Sequence, residues 1–431
     1  MKNSLFELDG AGRRGRRSAP ARTGSRACLL LAGVLLLAAA AAAQDLTIEK
    51  AVEIALAANP EIQAARAEVD AARGRTLQLG SRPEPGLTAS VEGAPLPGRK
   101  QEGDETEISL GVEQAFEFPG KRALRAETGR IGERLAAAEL DRVRRVVTAR
   151  VKRAYWQAVF AAETVMALER SSTRLDLLLG DLQAKYRSGT AAYADVLRAR
   201  AEKARLRNQV LEQEKELRLA ALALNELLAR PAGEKAALAS SMPFVPLSAQ
   251  LEGLWENVRS TSPSLRLASL RREHAAAALK LARLHGRPDL LAGFSLPSSR
   301  LNAWGVSLGL TLPFLRPGRN RGLALEAGAG LENARLAEAA RMRRARSALE
   351  SAWAAARAAE EQVQVFQRDL LRELEDELRI QLEYFRYGKT EAYALLDLHR
   401  TFVLAELEHL RAVMLYNLAL IDLDVAGEET E

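Results

Sequence analysis

The residues best equipped for chemistry are few, and their spacing suits none of the common reactions. The four histidines, His274, His285, His399 and His409, form no H-x-x-x-H pair and have no cysteine nearby, so no metal site is expected. The only cysteine, Cys28, excludes both a disulfide framework and a thiolate metal cluster. No G-x-x-x-x-G-K-[ST] loop is present, so ATP hydrolysis is not expected, and no serine or cysteine stands with a histidine as a nucleophile would. The chain reads as no enzyme, with no cofactor. What remains is patterned charge. Glu92, Glu107, Glu113 and Glu117 share one parity of two alternating segments, where carboxylates could favour cations. Two Arg-x-Gly motifs, Arg187-Ser188-Gly189 and Arg386-Tyr387-Gly388, join a residue tolerant of positive φ to a cation suited to a helix C-terminus. Such a motif turns the chain between antiparallel helices, and its arginine can then meet a partner's hairpin. Capping alone accounts for the arginines as well, and a polar face kept soluble is the simpler account of the glutamates.

The elements that carry these residues follow from composition and period. The chain has 431 residues, 48% hydrophobic, 27% charged and only 5% aromatic, which suits long helices and argues against a large aromatic β core. The net charge of +6 is misplaced for a nucleic-acid partner. Residues 1–43 hold seven basic side chains against two acidic ones, and the remainder is close to neutral, so no nucleic acid is expected.

Residues 1–43 read as an export signal. A basic stretch precedes the apolar run 28–43, which ends in Ala41-Ala42-Ala43 before Gln44, so cleavage is expected between Ala43 and Gln44. The run is shorter than the ~20 residues of a membrane-spanning helix. An uncleaved anchor is the alternative. Cys28 lies before the run rather than after it, so lipidation is not expected there.

The rest is one pattern written twice. Phe118-Pro119-Gly120-Lys121-Arg122 recurs as Arg316-Pro317-Gly318-Arg319-Asn320, and Tyr186-Arg187-Ser188-Gly189 as Phe385-Arg386-Tyr387-Gly388. Asn59-Pro60 recurs as Ser262-Pro263, and Arg82-Pro83 as Arg287-Pro288, in the same order and at nearly one offset. The expected organisation is a first repeat at 44–230, a linker at 231–247 and a second repeat at 248–431. Each repeat opens with a helix, 47–81 or 248–285, with Thr47 or Ser248 as N-cap.

Two strands then follow in each repeat. In 107–118, Ile108, Leu110, Val112, Phe116 and Phe118 share one parity; in the counterpart, Trp304, Val306, Leu308, Leu310, Leu312 and Phe314 do. Leu87, Ala89 and Val91, and Leu290, Ala292, Phe294 and Leu296, mark the preceding strands. Pro119 and Pro317 end the strands and open helical tracts at 120–187 and 318–386, each about 100 Å long at 1.5 Å per residue. Gly189 and Gly388 end those tracts, and return helices follow at 191–229 and 391–425. The fold class is therefore mainly α with a membrane β part: tandem long helical hairpins plus four strands per chain. Four strands with one apolar face cannot close on themselves, and bare edges do not survive in lipid. Three copies give the smallest barrel with an open lumen, since about eight strands fill their own interior.

From residue 44 onward the chain resembles the outer-membrane factors of the TolC family, within them the CzcC/CusC-like branch of heavy-metal efflux systems. The resemblance rests on Leu46-Thr47-Ile48-Glu49-Lys50-Ala51-Val52 with Ala58-Asn59-Pro60-Glu61, on the passage from Gln114 to Gly120-Lys121-Arg122, and on Arg187-x-Gly189 and Arg386-x-Gly388. It implies a homotrimer whose twelve-stranded barrel in outer-membrane lipid continues as a helical tunnel through the periplasm. It also implies tips that dock on a periplasmic adaptor (a membrane fusion protein) and so join an inner-membrane pump, of the RND type or another. The duct itself would be passive. The family often narrows its entrance with aspartates six and nine residues after the second tip glycine; here those positions are Ala394 and Asp397, so one fits. Asp195 stands six residues after the first tip glycine and could instead pair with neighbouring helices. A charge on a solvated helix face explains Asp397 as readily as a gate. The competing reading of the whole chain is a periplasmic coiled-coil scaffold or adaptor that never enters a membrane.

Overall fold

The computed structural model describes residues 46–92, 107–234, 238, 241–297, 304–367 and 370–428. The expected leader 1–43, with Ala43 and Gln44, and the strand-connecting loops 93–106 and 298–303 lie outside the described residues.

Each half opens with a helix pair split at a proline. α1 (Ile48–Ala58) begins at Thr47, whose Oγ1 accepts from Lys50 N at 3.4 Å. Asn59 closes α1 and caps α2 (Pro60–Gly80), its Oδ1 accepting from Glu61 N at 2.9 Å. The expected single helix 47–81 is thus two. A proline has no N–H for the ladder and forces its predecessor out of the helical region, so Asn59 sits at φ −62°, ψ 128°.

The same break recurs in the second half. Following α3 (Lys121–Arg187) and α4 (Tyr193–Leu227), α5 (Leu251–Thr261) meets α6 (Pro263–Leu284) at Ser262, φ −67°, ψ 118°. Gln250, not Ser248, holds the N-cap position of α5.

The sheet is an antiparallel meander, β1 (Gly86–Glu92), β2 (Glu107–Phe116), β3 (Leu290–Pro297) and β4 (Gly305–Leu310), in that spatial order. Leu110 pairs with Ala89 on one side and with Leu296 on the other, so the apolar parities of neighbouring strands coincide on one face. The central pair β2–β3 joins the two halves. β4 is shorter than its pattern suggests. Pro313 lacks the N–H a ladder requires, and a 3-10 turn at Pro313–Leu315 replaces the last expected strand residues.

α3 (Lys121–Arg187) is a 67-residue helix, and α4 (Tyr193–Leu227) returns along it. α7 (Pro317–Gln367) and α8 (Leu370–Arg386) cover the expected tract 318–386 on either side of residues outside the description, and α9 (Ala392–Asp424) returns. α3 packs on α1, α2, α4, α6 and α9, and α7 packs chiefly on α6 and α9, so each long helix runs beside at least two shorter ones. One core gathers around Tyr155 and Tyr416, whose hydroxyls donate to Leu46 O at 2.9 Å and Val245 O at 2.6 Å. A second, near the hairpin ends, holds Leu175, Leu182, Val196, Phe385 and Leu395. Burying each of those leucines stabilises by about 1.5–3 kcal/mol. No helix among the described residues is long and apolar enough to cross a membrane.

A buried ion pair fixes the passage from sheet to helices. Pro119 ends β2, and Gly120 takes φ +96° to start α3, which turns Lys121 toward the other half. Lys121 Nζ lies 2.8 and 2.9 Å from the Asp289 carboxylate oxygens and donates to Arg287 O at 2.8 Å. Phe118 N donates to the same carboxylate at 2.7 Å. The Lys121 side chain is 7% exposed, so its loss strands a half-buried carboxylate. We expect Lys121→Met to cost roughly 3 kcal/mol, read as a lower calorimetric transition of the detergent-solubilised protein.

Candidate functional site: hairpin tips and the two faces of the sheet

The two hairpin tips are built alike. Gly189 has φ +76° and Gly388 φ +74°, a region where a side chain on Cβ would be strained. At the first tip, Thr190 N donates to Lys185 O at 2.9 Å and Gly189 N to Tyr186 O at 3.0 Å. At the second, Lys389 N donates to Tyr384 O at 2.8 Å and Gly388 N to Phe385 O at 3.0 Å. Both are Schellman closures, which need the left-handed residue that glycine supplies. A Cβ on either glycine would meet no other atom within 4 Å, so φ alone demands glycine.

The two tip arginines sit differently. Arg187 is exposed, and its Nε donates to Gln183 O of its own last turn at 3.3 Å. Arg386 reaches across to the first hairpin: Nε lies 3.1 Å from Asp181 Oδ2, and Nη1 lies 2.8 Å from Glu383 Oε1. Lys185 Nζ donates to Arg386 O at 3.2 Å, which ties the tips a second time. Tyrosines surround both turns. Tyr186 and Tyr193 stand 5.4 Å apart, and Tyr387 and Tyr393 are largely exposed. Sequence reasoning passed over this aromatic collar, although Tyr186 and Tyr387 lie inside the very motifs it singled out.

The candidate gate residues part company. Asp195 pairs with Arg198 on its own helix at 3.1 Å. Asp397 is exposed, and among the described residues its carboxylate makes no ion pair. Arg400, one turn on, is held to Glu202 of α4 at 2.6 Å.

Between them in sequence lies His399, only 3% exposed, its Nε2 3.0 Å from Ser171 Oγ on α3 and 3.3 Å from Ser171 O. Burial holds the imidazole below its ordinary pKa, and Arg174 acts the same way; the bond to Ser171 and the Glu202 charge oppose them. The unfolded chain therefore takes up this proton at higher pH than the folded chain. The stability involved is fully present above the ordinary histidine range and is lost as the pH falls below it. Between about pH 7.5 and pH 5, thermal stability should fall more for the unaltered protein than for His399→Gln, which keeps a polar partner for Ser171 and does not titrate. Equal falls would remove His399 from the account.

The faces of the sheet are opposite in character. On one, Leu87, Leu110, Phe294 and Leu308 are 80, 58, 48 and 75% exposed, with Val91, Val112, Leu296, Val306 and Leu310 beside them. An apolar face of this extent left open in a single chain marks a surface that something apolar must cover. The other face carries Thr88, Ser90, Ser109, Glu113 and Ser295. The backbones of Glu92 and Glu107 pair at the far end of the β1–β2 hairpin, in this same register. Glu113 is exposed. Glu117, just beyond the strand, is half-buried and bonded to Arg125 at 2.5 Å, so its charge is already compensated. No group of three or more metal-ligating side chains occurs among the described residues.

Known proteins resemble this chain in sequence and in fold. The sequence profile of the outer membrane efflux protein family matches residues 51–230. The cobalt-zinc-cadmium resistance protein CzcC of Cupriavidus metallidurans is 25% identical over 286 residues, spanning 65% of this chain and 66%, just under two thirds, of that relative. The solved structure of CusC, described with its transmembrane channel formation, superposes with a TM-score of 0.75 at 20% identity, over 88% of this chain and 92% of that one. The outer membrane protein VceC of Vibrio cholerae gives 0.73 at 19% identity, over 89% of this chain and 97% of that one. The mainly helical architecture with its four-stranded antiparallel sheet is thus the fold of these channels.

Proposed function

We infer that the chain belongs with the outer membrane efflux proteins, whose profile matches residues 51–230, and is the outer-membrane duct of a tripartite efflux system. The observation that carries this is the open apolar face of the sheet, continuous over all four strands. In lipid that face needs no further partner, whereas a scaffold in the aqueous periplasm would leave it bare. The two sheet edges, β1 and β4, have unpaired backbone groups that lipid cannot satisfy. Three chains joined edge to edge would pair them all in one twelve-stranded barrel, with the polar face turned to a lumen. The long helices would continue that lumen across the periplasm.

In this reading residues 1–43 are the export signal, cut between Ala43 and Gln44, and 44–230 and 248–431 are duplicated halves joined by 231–247. The tips, with Arg187, Gly189, Arg386 and Gly388, dock on a periplasmic adaptor that brings an inner-membrane pump, which supplies the energy. Three copies of Asp397 ring the tunnel entrance and favour cations there, with Asp195 braced against Arg198. Glu92, Glu107 and Glu113 give the barrel wall a negative lining, and Glu117 with Arg125 secures its base. The cargo class that fits is a heavy-metal cation, after the cobalt-zinc-cadmium resistance named for CzcC, or a drug. The chain catalyses nothing and needs no cofactor.

Conductance tests this reading. Purified protein added to a planar bilayer should give discrete steps with a preference for cations, and Glu113→Gln should weaken that preference. Folded protein that never conducts would overturn the duct.

A further inference from the structure

The Lys121–Asp289 pair has a second copy in the sequence whose two members stand apart. The Pro-Gly-Lys of residues 119–121 recurs as Pro-Gly-Arg at 317–319, and the Arg-Pro-Asp of residues 287–289 is matched by Arg-Pro-Glu at 82–84. Arg319 therefore corresponds to Lys121, and Glu84 to Asp289. The first pair is joined: Lys121 follows β2, Asp289 precedes β3, and β2 and β3 are neighbours in the sheet. Within one chain the second pair cannot meet. Arg319 follows β4 and Glu84 precedes β1, at opposite edges of the sheet. Both side chains are exposed, and among the described residues neither has an ionic partner.

We propose that Arg319 of each chain closes an ion pair with Glu84 of the partner subunit, and that this latch sits below the joint where β4 meets the next chain's β1. The inference rests on the trimeric duct proposed above, and adds to it the residues that lock one subunit to the next. A β4 edge set against a neighbouring β1 edge repeats the relation that β2 bears to β3. The sequence supplies opposite charges at the two positions where the intrachain joint has them. One detail of the joint differs. Arg316 N, the counterpart of Phe118 N, is already bonded to Pro313 O at 3.1 Å in the 3-10 turn, so the guanidinium alone holds the carboxylate of Glu84 of the partner subunit. Arginine rather than lysine suits that task, because its planar fork can take both carboxylate oxygens at once.

A charge-swap cycle tests the latch on the full-length protein in detergent, read as the temperature at which the trimer band gives way to monomer on electrophoresis. Glu84→Arg and Arg319→Glu should each lower that temperature, because each sets like charges against each other at three joints. The double variant should return to the value of the unaltered protein. Glu84→Gln with Arg319→Gln provides the neutral cycle, in which the double variant should lose no more than either single. Additive losses in both cycles, with the trimer otherwise intact, would overturn the latch alone. Absence of any trimer from the unaltered chain would overturn the duct and the latch with it.

Discussion

Leu110→Arg removes the protein from the outer membrane, while Thr88→Lys on the opposite face leaves it there. Leu110 is in the middle of β2, 58% exposed on the apolar face and flanked by Ala89 and Leu296. An arginine near the bilayer midplane of a barrel costs about 2–4 kcal/mol, and the proposed trimer would meet that cost three times. Thr88 is one residue out of phase with that face, opposite Gly111, so a lysine there would project from the polar face, which lines the lumen of the proposed barrel. The pair of variants therefore separates lipid contact from mere disturbance of a strand. Measured as protein recovered in the outer-membrane fraction, Leu110→Arg should fall below a tenth of the unaltered level and Thr88→Lys should stay near it. Equal loss from both variants would mean that the apolar face does not meet lipid.

The second large effect is at the tips. Gly388→Val should abolish export without changing the amount of trimer in the membrane. Gly388 has φ +74° and open space around it, so the harm comes from the backbone and not from a clash. The left-handed region costs an ordinary residue roughly 1–2 kcal/mol, and a β-branched one more. That is enough to open the Schellman closure, and with it the contacts of Arg386 with Asp181 and of Lys185 with Arg386 O. A docking surface composed of these groups would lose tenfold in affinity for each 1.4 kcal/mol. Gly388→Asn, which tolerates the left-handed region, should retain much of the export, and Gly189→Val should act like Gly388→Val. Full export by both valine variants would show that the closures play no part in docking.

How far the sequence could be read depended on the range of the interaction concerned. Period-two alternation located all four strands, because each residue's side is set by its own neighbours in the chain. The tip glycines were legible for the same reason: a left-handed turn is a local demand. The breaks at Asn59-Pro60 and Ser262-Pro263 were also local, yet the apolar period runs through both and hid them. A proline at the first position of a helix, preceded by Asn or Ser, was the available signal. The end of β4 at Leu310 was masked in the same way by the parity of Leu312 and Phe314.

What sequence alone could not give were the long-range pairings. Lys121 bonds Asp289, Ser171 meets His399 and Arg386 reaches Asp181, each across more than 160 residues. In the sequence Lys121 stands out only as part of a repeated motif, and Asp289 has no mark beyond following a repeated Arg-Pro. That these two repeats meet in space needed the sheet order. Once that order is known, the same repeats point beyond the single chain, to Arg319 and Glu84.

Fractionation of the processed protein, followed by electrophoresis with and without heating, tests most directly whether three chains form one outer-membrane barrel. A trimeric barrel gives a detergent-dependent species in the outer-membrane fraction, near three times the monomer mass when unheated and at the monomer mass after heating. A protein that stays in the soluble periplasmic fraction as a monomer, with no detergent needed, would contradict it.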